Sequence, residues 1–379
     1  MTTAHAADYV PPPGDAWSKH TAAQEGFDGA KLQAAIDFAV ASETKFPPAL
    51  AKVADVRDMR LYIPISFAKE PFSDPIGPLA PRAAPNGIVI RHGYIVAEWG
   101  DTHAVDMTHS VTKTFLSAVA GLAYDRHMIR DVNDRVIDYV QPTPDFMLEH
   151  NQPITWDQML RQTSGWVGTM WGKPWWADRP GEHPYDELAA GPPPVGKEWK
   201  YSDVRVNALS LALNYVWKRP LPDVLKENVM DPIGASNTWH WEGYDNSWVT
   251  IDGQRIHAVP GGGHWGGGMF IDARDMARMG LLGLNNGHWG SRQILSRDWI
   301  KRSRTPTGPN PGYGYMNWFL NTDKKLFPAA REDAVAFIGN GDNIVYLDYQ
   351  HDIVAVVRWI DDGQKAEFVR LLLASLKQG

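Results

Sequence analysis

The 379-residue sequence contains no cysteine. Disulfide bonds, thiolate metal sites and a cysteine nucleophile are therefore excluded. A chain without cysteine is compatible with either a reducing or an oxidising compartment. The sequence also lacks an apolar run approaching the roughly 18 residues that a membrane-spanning helix needs. We therefore expect no membrane span.

An excess of basic residues is missing as well. The chain has 37 lysines and arginines against 44 aspartates and glutamates, a net charge of −7. This balance gives no electrostatic reason to expect nucleic acid as a partner. Hydrophobic residues make up 44% of the chain, which is typical of a globular protein. The length suggests about two to three domain-sized units.

The first 13 residues lack the basic region and apolar stretch of a secretory signal peptide. The tripeptide Ala4-His5-Ala6 nevertheless fits the A-x-A pattern of a cleavage site, as a trimmed secreted protein would. A chance match explains it equally well, because alanine is common here. A cytoplasmic and a periplasmic or secreted location both stay open.

Several motifs that would indicate a cofactor fail on inspection. Residues 191–198 (GPPPVGKE) resemble a phosphate-binding loop, but Glu198 stands where serine or threonine holds magnesium, and three prolines remove N–H donors. Residues 261–266 (GGGHWG) fit G-x-G-x-x-G without a βαβ unit around them. There is no G-x-S-x-G, no H-E-x-x-H and no clear metal spacing among the histidines. We therefore expect no metal and no organic cofactor.

Periodicity and turn residues predict strands near both ends of the chain. Residues 87–99 (GIVIRHGYIVAEW) predict a hairpin, and residues 334–340, 343–349 and 352–360 predict three more strands. Helices are predicted at residues 29–45, 110–127, 204–217, 272–284 (with Asp272 as the N-cap) and 363–377. Residues 46–86 are rich in proline and predict no clear long element.

This order of elements predicts an α+β fold. Strands from both ends can share one antiparallel sheet, with the middle of the chain inserted as a mainly helical lobe. The predicted limits are an N-terminal arm over 1–27, an α/β domain over 28–114 and 301–379, and a helical domain over 115–300. We expect the active site in the cleft between the two domains.

Ser110 and Lys113 form an S-x-x-K motif at the start of a predicted helix. Residues at i and i+3 share one helix face, about 5–6 Å apart. A serine hydroxyl becomes a good nucleophile when a base accepts its proton, and lysine can be that base if its pKa falls. Burial and the positive end of the helix dipole both favour that fall. The competing explanation is a capping serine beside a solvated lysine. The predicted helix is apolar almost all round, which favours a central, buried position.

The sequence resembles the penicillin-recognising serine hydrolases: class C β-lactamases, DD-peptidases, family VIII carboxylesterases and 6-aminohexanoate-dimer hydrolases. The resemblance runs from about Asn86 to Arg358 and rests on motifs in the order of that family. These are GIVIRHGYIVAEWG, SVTK, DRVIDYVQP, ITWDQMLRQTSGW, Tyr201-Ser202-Asp203, GGGHWGGGMFIDARDMARMG and FIGNGDNIVYLDYQHDIVAVV. It implies a β-lactamase/transpeptidase-like fold.

The resemblance also implies roles for individual residues. Ser110 would be the nucleophile, Lys113 its proton partner, and Tyr201 a second acid/base that protonates the leaving group. Which of Lys113 and Tyr201 is the base stays open, so they are treated as a coupled pair. The oxyanion hole would consist of the backbone N–H of Ser110 and that of Phe337 or Ile338.

Two departures from the family pattern bear on the substrate. Asp203 stands where β-lactamases carry asparagine, and an ionised aspartate cannot donate to the amide carbonyl of a penicillin. The K-T-G motif is also missing, because Val335, Ala336 and Phe337 occupy that region. Both changes favour an esterase or amidase over an efficient β-lactamase.

Tryptophan is unusually frequent, with 17 residues. The segment from Trp166 to Tyr185 is interpreted as a lid that binds an apolar or aryl acyl group. A structural cluster inside the helical lobe is the alternative. The candidate substrate-binding residues, which include two in the glycine-rich turn, are Trp166, Trp171, Trp175, Trp176, Asp203, His264 and Trp265.

The sequence therefore predicts a serine hydrolase that cleaves carboxylic esters or linear amides through an acyl-Ser110 intermediate. The alternative enzyme is a β-lactamase or D-amino-acid peptidase. An alternative of another class is a non-catalytic acyl-binding sensor on the same fold. Retention of Ser110, Lys113 and Tyr201 together argues against a sensor, because binding alone needs no proton transfer. The expected partner is a small ester or amide, and the oligomeric state stays open.

Overall fold

The computed structural model describes residues 9–45, 57–183, 185–306, 308–318 and 321–377. The candidate cleavage site Ala4-His5-Ala6 lies outside the described residues. The helices are α1 (Gly29–Ala41), α2 (Met59–Ser66), α3 (Thr112–Asp125), α4 (Pro144–Met147), α5 (Trp156–Leu160), α6 (Asp186–Ala190), α7 (Asp203–Trp217), α8 (Leu221–Leu225), α9 (Ala273–Leu284), α10 (Arg297–Ser303) and α11 (Lys365–Ala374).

The strands are short outside the main sheet. They are β1 (Asn86–Arg91), β2 (Tyr94–Trp99), β3 (Asp106–Met107), β4 (Thr169–Met170), β5 (Lys173–Pro174), β6 (His240–Glu242), β7 (Trp248–Ile251), β8 (Gln254–His257), β9 (Gly268–Ile271), β10 (His288–Trp289), β11 (Arg292–Gln293), β12 (Val335–Gly339), β13 (Asn343–Asp348) and β14 (Ile353–Arg358).

The main sheet is built from both ends of the chain, as predicted. Its five antiparallel strands run in the order β12-β13-β14-β1-β2. Strand β14 pairs with β1 from Asn86↔Arg358 to Arg91↔Ile353. The predicted hairpin turns at His92 and Gly93, which both have positive φ, as a tight hairpin turn requires. The α+β prediction is confirmed.

Both faces of this sheet are covered, which explains its continuous apolar strands. Helices α1 and α11 pack together on one face, where Leu32 and Phe368 meet Val89 and Ala355. Helix α9 packs on the other face against β13, β14 and β1. The predicted domain limits assign α9 to the helical lobe, whereas the structure places it on the sheet. Its predicted N-cap is Asp272, whose carboxylate accepts a hydrogen bond from the Asp275 N–H at 2.8 Å.

Helix α3 is the centre of the molecule. All its residues from Thr112 to Ala123 are buried, and it contacts α7, α8 and α10. This burial agrees with a sequence that is apolar almost all round after Lys113. Helix α7 is similarly buried and begins at Asp203, with Ser202 as its N-cap. The motif residues lie at the starts of these two helices, with Ser110 and Lys113 at α3 and Tyr201 and Asp203 at α7.

The predicted arm packs onto the folded core over its described part. The Trp17 indole donates to the Gly93 carbonyl at 2.7 Å. The Arg278 guanidinium donates to the carbonyls of Pro12 and Gly14 at 2.7 and 2.8 Å. Among the described helices, none is long and apolar enough to cross a membrane.

Candidate active site

Ser110 lies in a short 3₁₀ turn, His109–Val111, that leads directly from β3 into α3. The turn is held from both sides. The Thr108 N–H donates to the Met269 carbonyl of β9 at 2.9 Å, and the buried Arg358 donates to the Met107 carbonyl at 2.8 Å. His109 has a positive φ of 47°, a strained conformation that such contacts must hold in place. Burial, together with the charge of Arg358, lowers the pKa of His109 to about 3, so this neighbour stays neutral.

The Lys113 amine connects the serine to a carboxylate. Its Nζ lies 2.9 Å from the Ser110 Oγ and 2.8 Å from the Asp203 Oδ1. The side chains of Lys113 and Asp203 are each 1% exposed, so this ion pair is shielded from water. The i, i+3 spacing therefore places the amine against the hydroxyl.

The surroundings of Lys113 do not favour the lowered pKa that it would need to act as the base. Burial lowers it, but the adjacent Asp203 carboxylate overcomes that effect and raises the pKa of Lys113 above its ordinary value. In turn, Lys113 and Arg179 outweigh the burial of Asp203 and hold the pKa of its carboxyl well below the usual range. Both partners are consequently charged at neutral pH, and Lys113 is a hydrogen-bond donor to Ser110.

Tyr201 lies next to two cations. Its ring centre is 4.7 Å from the Lys113 Nζ and 4.9 Å from the Arg179 Cζ. The ring also stacks on Trp318, with centroids 6.1 Å apart and planes inclined by 13°. The structure thus brings Tyr201 beside the Ser110–Lys113 pair.

Arg179 and Asp178 complete the charge cluster, and sequence reasoning assigned no role to either. The Arg179 Nη1 donates to the Asp203 Oδ2 at 2.9 Å and to the Asp178 Oδ1 at 3.0 Å. The Asp178 carboxylate also accepts from the backbone N–H groups of Asp203 and Val204 at the start of α7. Asp203 is thus a buried counter-ion of Lys113 and Arg179 in this structure, whereas the sequence placed it against substrate.

Strand β12 borders the serine at the edge of the main sheet. The Ala336 N–H donates to the Trp318 carbonyl at 2.8 Å, on the side of β12 that faces away from β13. Amides of alternate residues in a strand point the same way, so the N–H of Ile338 also faces away from β13, whereas the N–H of Phe337 faces β13. A Cβ built on Gly339 would lie 3.1 Å from the Ser110 nitrogen, so the end of the strand reaches the serine backbone. Of the two oxyanion candidates, this geometry favours Ile338.

The tryptophans that were candidates for substrate binding fall into three groups. Trp166 and Trp265 are 1% and 0% exposed, so they belong to the core rather than to a surface open to substrate. Trp171 contacts Tyr244, and Trp175 packs partly buried against the core. Trp176 lies between the exposed rings of Phe72 and Tyr185.

A different set of rings surrounds Tyr201. Each of the four rings contacts the other three, with centroids 5.1 to 6.2 Å apart. Sequence reasoning missed these partners, because two of them lie more than 100 residues further along the chain. The cluster consists of Trp199, Tyr201, Tyr313 and Trp318.

His264 is buried within the charge cluster. Its Nε2 lies 2.7 Å from the Glu70 Oε2, and its Nδ1 lies 3.7 Å from the Asp203 Oδ2. The potential metal-ligand atoms of Glu70, Asp178 and His264 lie within 4.8 Å of one another, and this is the only such group found among the described residues. The Glu70 carboxylate is hydrogen-bonded to the His264 Nε2 and the Asp178 carboxylate is paired with Arg179, whereas the His264 Nδ1 has no hydrogen-bond partner among the described residues.

The glycine-rich turn approaches the ion pair closely. A Cβ on Gly262 would collide with the Asp203 carboxylate and the Lys113 amine. Only glycine therefore allows this turn to close over the pair. The family resemblance implied a glycine-rich turn here, and the structure gives this turn a packing role.

Comparisons with known proteins identify a matching family and similar folds. The profile of the Beta-lactamase family matches residues 88–373. No curated protein matches the chain. A 6-aminohexanoate-dimer hydrolase homologue from Bacillus anthracis is 18% identical, with a TM-score of 0.52 over 79% of this chain and 81% of that one.

Two further solved structures have similar folds. The hydrolase EstCE1, described as having promiscuous acyltransferase activity, is 17% identical, with a TM-score of 0.54 over 78% of this chain and 94% of that one. A penicillin-binding protein homologue from Caulobacter crescentus is 15% identical, with a TM-score of 0.57 over 77% of this chain and 92% of that one.

Proposed function

The chain belongs to the Beta-lactamase family, whose members include hydrolases, and from this premise we propose that it cleaves carboxylic esters or linear amides through an acyl-enzyme on Ser110. The observation that carries the proposal is the 2.9 Å hydrogen bond from the buried Lys113 Nζ to the Ser110 Oγ. A buried cation at this position stabilises the serine oxygen as it loses its proton.

The charge state of Lys113 supports Tyr201 as the group that transfers the proton. A lysine that is paired with Asp203 and protonated has no free lone pair to act as base. Tyr201 is the remaining acid/base group, and its ring lies beside the cations Lys113 and Arg179. Tyr201, as the phenolate, takes the hydroxyl proton as Ser110 attacks the carbonyl carbon, and the N–H groups of Ser110 and Ile338 donate hydrogen bonds to the oxyanion.

The second half of the reaction reverses these roles. Tyr201 returns its proton to the leaving alcohol or amine, which leaves an acyl ester on Ser110. A water molecule then attacks this ester and passes a proton to Tyr201. The Ser110 oxygen recovers a proton as the carboxylic acid departs, and the enzyme is restored.

The surroundings favour esters or linear amides over β-lactams. Strand β12 carries the apolar residues Val335, Ala336 and Phe337 where a cation would hold the carboxylate of a penicillin. The Asp203 carboxylate is engaged by Lys113 and Arg179 and cannot donate to a side-chain amide. The aromatic cluster around Tyr201 suits apolar or aryl groups.

One observation favours the second candidate, hydrolysis of β-lactams or D-amino-acid peptides. Arg179 has a side chain that is 36% exposed, and it stands beside Tyr201 as a cation in contact with solvent. It could meet a substrate carboxylate. Its pairing with Asp178 and Asp203 weakens that attraction, which ranks this activity second.

The test is covalent labelling by a fluorophosphonate, followed by turnover of p-nitrophenyl esters, nitrocefin and a 6-aminohexanoate dimer. We expect a label on Ser110, its loss in Ser110→Ala, and its retention in Ser117→Ala on the same helix. Ester or dimer turnover should exceed nitrocefin turnover. Nitrocefin turnover well above the others would support the second candidate, and labelling without any turnover would support a sensor.

A further inference from the structure

Gln162 has a backbone conformation that glutamine does not favour. It follows α5, and its N–H donates to the Met159 carbonyl at 3.2 Å. Its φ of 58° lies in the left-handed region, where the ends of helices usually carry glycine and sometimes asparagine. The residue is also 0% exposed. A strained and buried polar residue of this kind points to a role for its side chain.

Gln162 holds the chain on both sides of Tyr201. The Lys200 N–H donates to the Gln162 carbonyl at 3.1 Å. The Ser202 N–H donates to the Gln162 Oε1 at 2.6 Å. Because a backbone N–H only donates, the amide oxygen of Gln162 must face Ser202, and this fixes the orientation of the amide. The backbone is therefore anchored immediately before and immediately after Tyr201.

The amide nitrogen of Gln162 contacts the aromatic cluster. Its Nε2 donates to the phenol oxygen of Tyr313 at 2.9 Å. The Tyr313 ring in turn meets the Tyr201 ring edge-on, with centroids 6.0 Å apart and planes inclined by 86°. Burial raises the pKa of the Tyr313 phenol well above its ordinary value, so this phenol stays neutral. One side chain thus contacts both the chain that carries Tyr201 and a ring that packs against it.

The placement of Tyr201 matters because proton transfer needs the phenol within hydrogen-bond reach of the reacting oxygen. Its ring centre lies 4.7 Å from the Lys113 Nζ, and it directly precedes Ser202, the N-cap of α7. A displacement of about 1 Å at such a group can cost roughly 100-fold in rate. Contacts that hold both neighbours of Tyr201 would prevent such a displacement.

We propose that Gln162 is a positioning residue for Tyr201, whose phenol it holds against the Ser110–Lys113 pair through Ser202, Lys200 and Tyr313. The inference rests on the proposed function, because it takes Tyr201 as the group that transfers protons during acylation. Gln162 acts through Tyr201 and is not itself a catalytic residue.

The test variant is Gln162→Asn. Asparagine tolerates the left-handed conformation, but its side chain is one methylene too short to keep both amide contacts. The measurement is kcat/KM, which includes departure of the leaving group, for phenyl acetate and p-nitrophenyl acetate. We expect a fall of roughly 100-fold for phenyl acetate and of roughly tenfold for p-nitrophenyl acetate, because p-nitrophenolate leaves without needing a proton. An equal fall for both esters, or no fall, would overturn the proposal.

A double-mutant cycle with Tyr201→Phe separates positioning from a general loss of structure. If Gln162 acts through Tyr201, Gln162→Asn should change kcat/KM by less than about twofold in the Tyr201→Phe background. Additive losses would contradict the proposal. The matched control is Gln152→Leu, whose amide donates to the Met147 carbonyl, and which should leave the ratio of the two esters unchanged.

A second variant tests the other branch of the contacts and does not depend on the folding of Gln162→Asn. Tyr313→Phe removes the hydroxyl that the Gln162 amide contacts but keeps the ring. We expect a smaller fall that is again larger for phenyl acetate than for p-nitrophenyl acetate. Wild-type rates on both esters in Tyr313→Phe would show that this branch does not position Tyr201.

A readout without turnover distinguishes failure of this inference from failure of the proposed function. With 3-fluorotyrosine at position 201, the ¹⁹F NMR resonance should shift or broaden in Gln162→Asn and stay in place in Gln152→Leu. A protein that hydrolyses neither ester but shows this change would refute the proposed reaction and leave the positioning role supported. An unchanged resonance in Gln162→Asn would overturn the positioning role.

Discussion

At the scale of single residues, Asp203 holds Lys113 in its charged form. Its carboxylate lies 2.8 Å from the Lys113 Nζ, so the amine remains a cation and donates to Ser110. Spacing alone predicted that Ser110 and Lys113 would meet, because both lie on one helical turn. It could not predict that Asp178 and Arg179 join them, because those contacts depend on a loop crossing the start of α7.

Replacement of Asp203 by asparagine should change the pH dependence of the reaction. Asp203 raises the pKa of Lys113, so its loss lowers that pKa, and Lys113 gives up its proton at a lower pH. We expect the alkaline fall of kcat/KM for p-nitrophenyl butyrate to move to lower pH in Asp203→Asn. The free energy of unfolding should drop by about 3 kcal/mol or more, since Arg179 also loses a partner.

The control for this substitution is Asp231→Asn, which removes the exposed ion pair with Lys226 and should leave the pH profile unchanged. An alkaline limb that stays in place in Asp203→Asn would contradict the assignment of Lys113 as the protonated partner.

Gly262 gives a second prediction at this scale. Alanine there would push its Cβ into the Asp203 carboxylate and the Lys113 amine and displace the pair. A displacement of about 1 Å can cost roughly 100-fold in rate, so we expect kcat/KM of Gly262→Ala to fall by about that factor. Gly308→Ala, where a Cβ meets open space, is the control for steady-state kinetics. Wild-type activity in Gly262→Ala would show that the pair tolerates the shift.

At the scale of elements, the sheet strands and long helices could be predicted because their patterns are strong. Strands β1, β13 and β14 are apolar runs bounded by turn residues, and α3 and α7 are long and apolar. Helix α2 was missed. It has eight residues, includes Pro64, and packs Met59 and Ile63 in the same small cluster as Trp359. Tertiary contacts of this kind override a weak local signal.

Helix α9 offers a pH-dependent stability prediction at its N-cap. Burial, with the nearby Asp275, raises the pKa of Asp272 to about 7 from an ordinary value of 3.8. Between about pH 4 and 7 the folded state therefore binds more protons than the unfolded state, and stability falls as pH rises. Above pH 7 Asp272 is charged in the folded protein as well, and the burial of this charge destabilises the folded state by its full amount.

Asparagine at position 272 keeps a capping oxygen and removes this cost. We expect urea denaturation to find Asp272→Asn more stable than the wild type at pH 8, with a smaller difference at pH 5. Asp272→Ala should lose about 1 kcal/mol relative to Asp272→Asn, because it also removes the cap. If the stability of the wild type relative to Asp272→Asn increased with pH, the raised pKa of Asp272 would be contradicted.

At the scale of the whole molecule, both ends of the chain are needed for one sheet. Strand β14 lies between β13 and β1 and pairs with both along its length. The sequence predicted this closure from strands at the two ends. It did not predict that α9 belongs with the sheet, because nothing local distinguishes an apolar helix that faces a sheet from one inside a helical lobe.

A chain that ends at Tyr349 should therefore fail to fold. It would lose β14 and α11, leaving β1 and β13 without their shared partner. We expect loss of the near-ultraviolet circular dichroism signal, binding of a hydrophobic dye and no cooperative thermal transition. A cooperative transition in the truncated protein would indicate that the helical lobe folds independently.

The central claim is that Ser110, activated beside the buried Lys113–Asp203 pair, carries the acyl group during turnover. Acid quenching during hydrolysis of a p-nitrophenyl ester, followed by intact-mass and peptide mass spectrometry, tests it most directly. The account predicts an added acyl mass on the peptide containing Ser110 and no such adduct in Ser110→Ala. Continued turnover by Ser110→Ala, or an acyl group mapped to another residue, would contradict it.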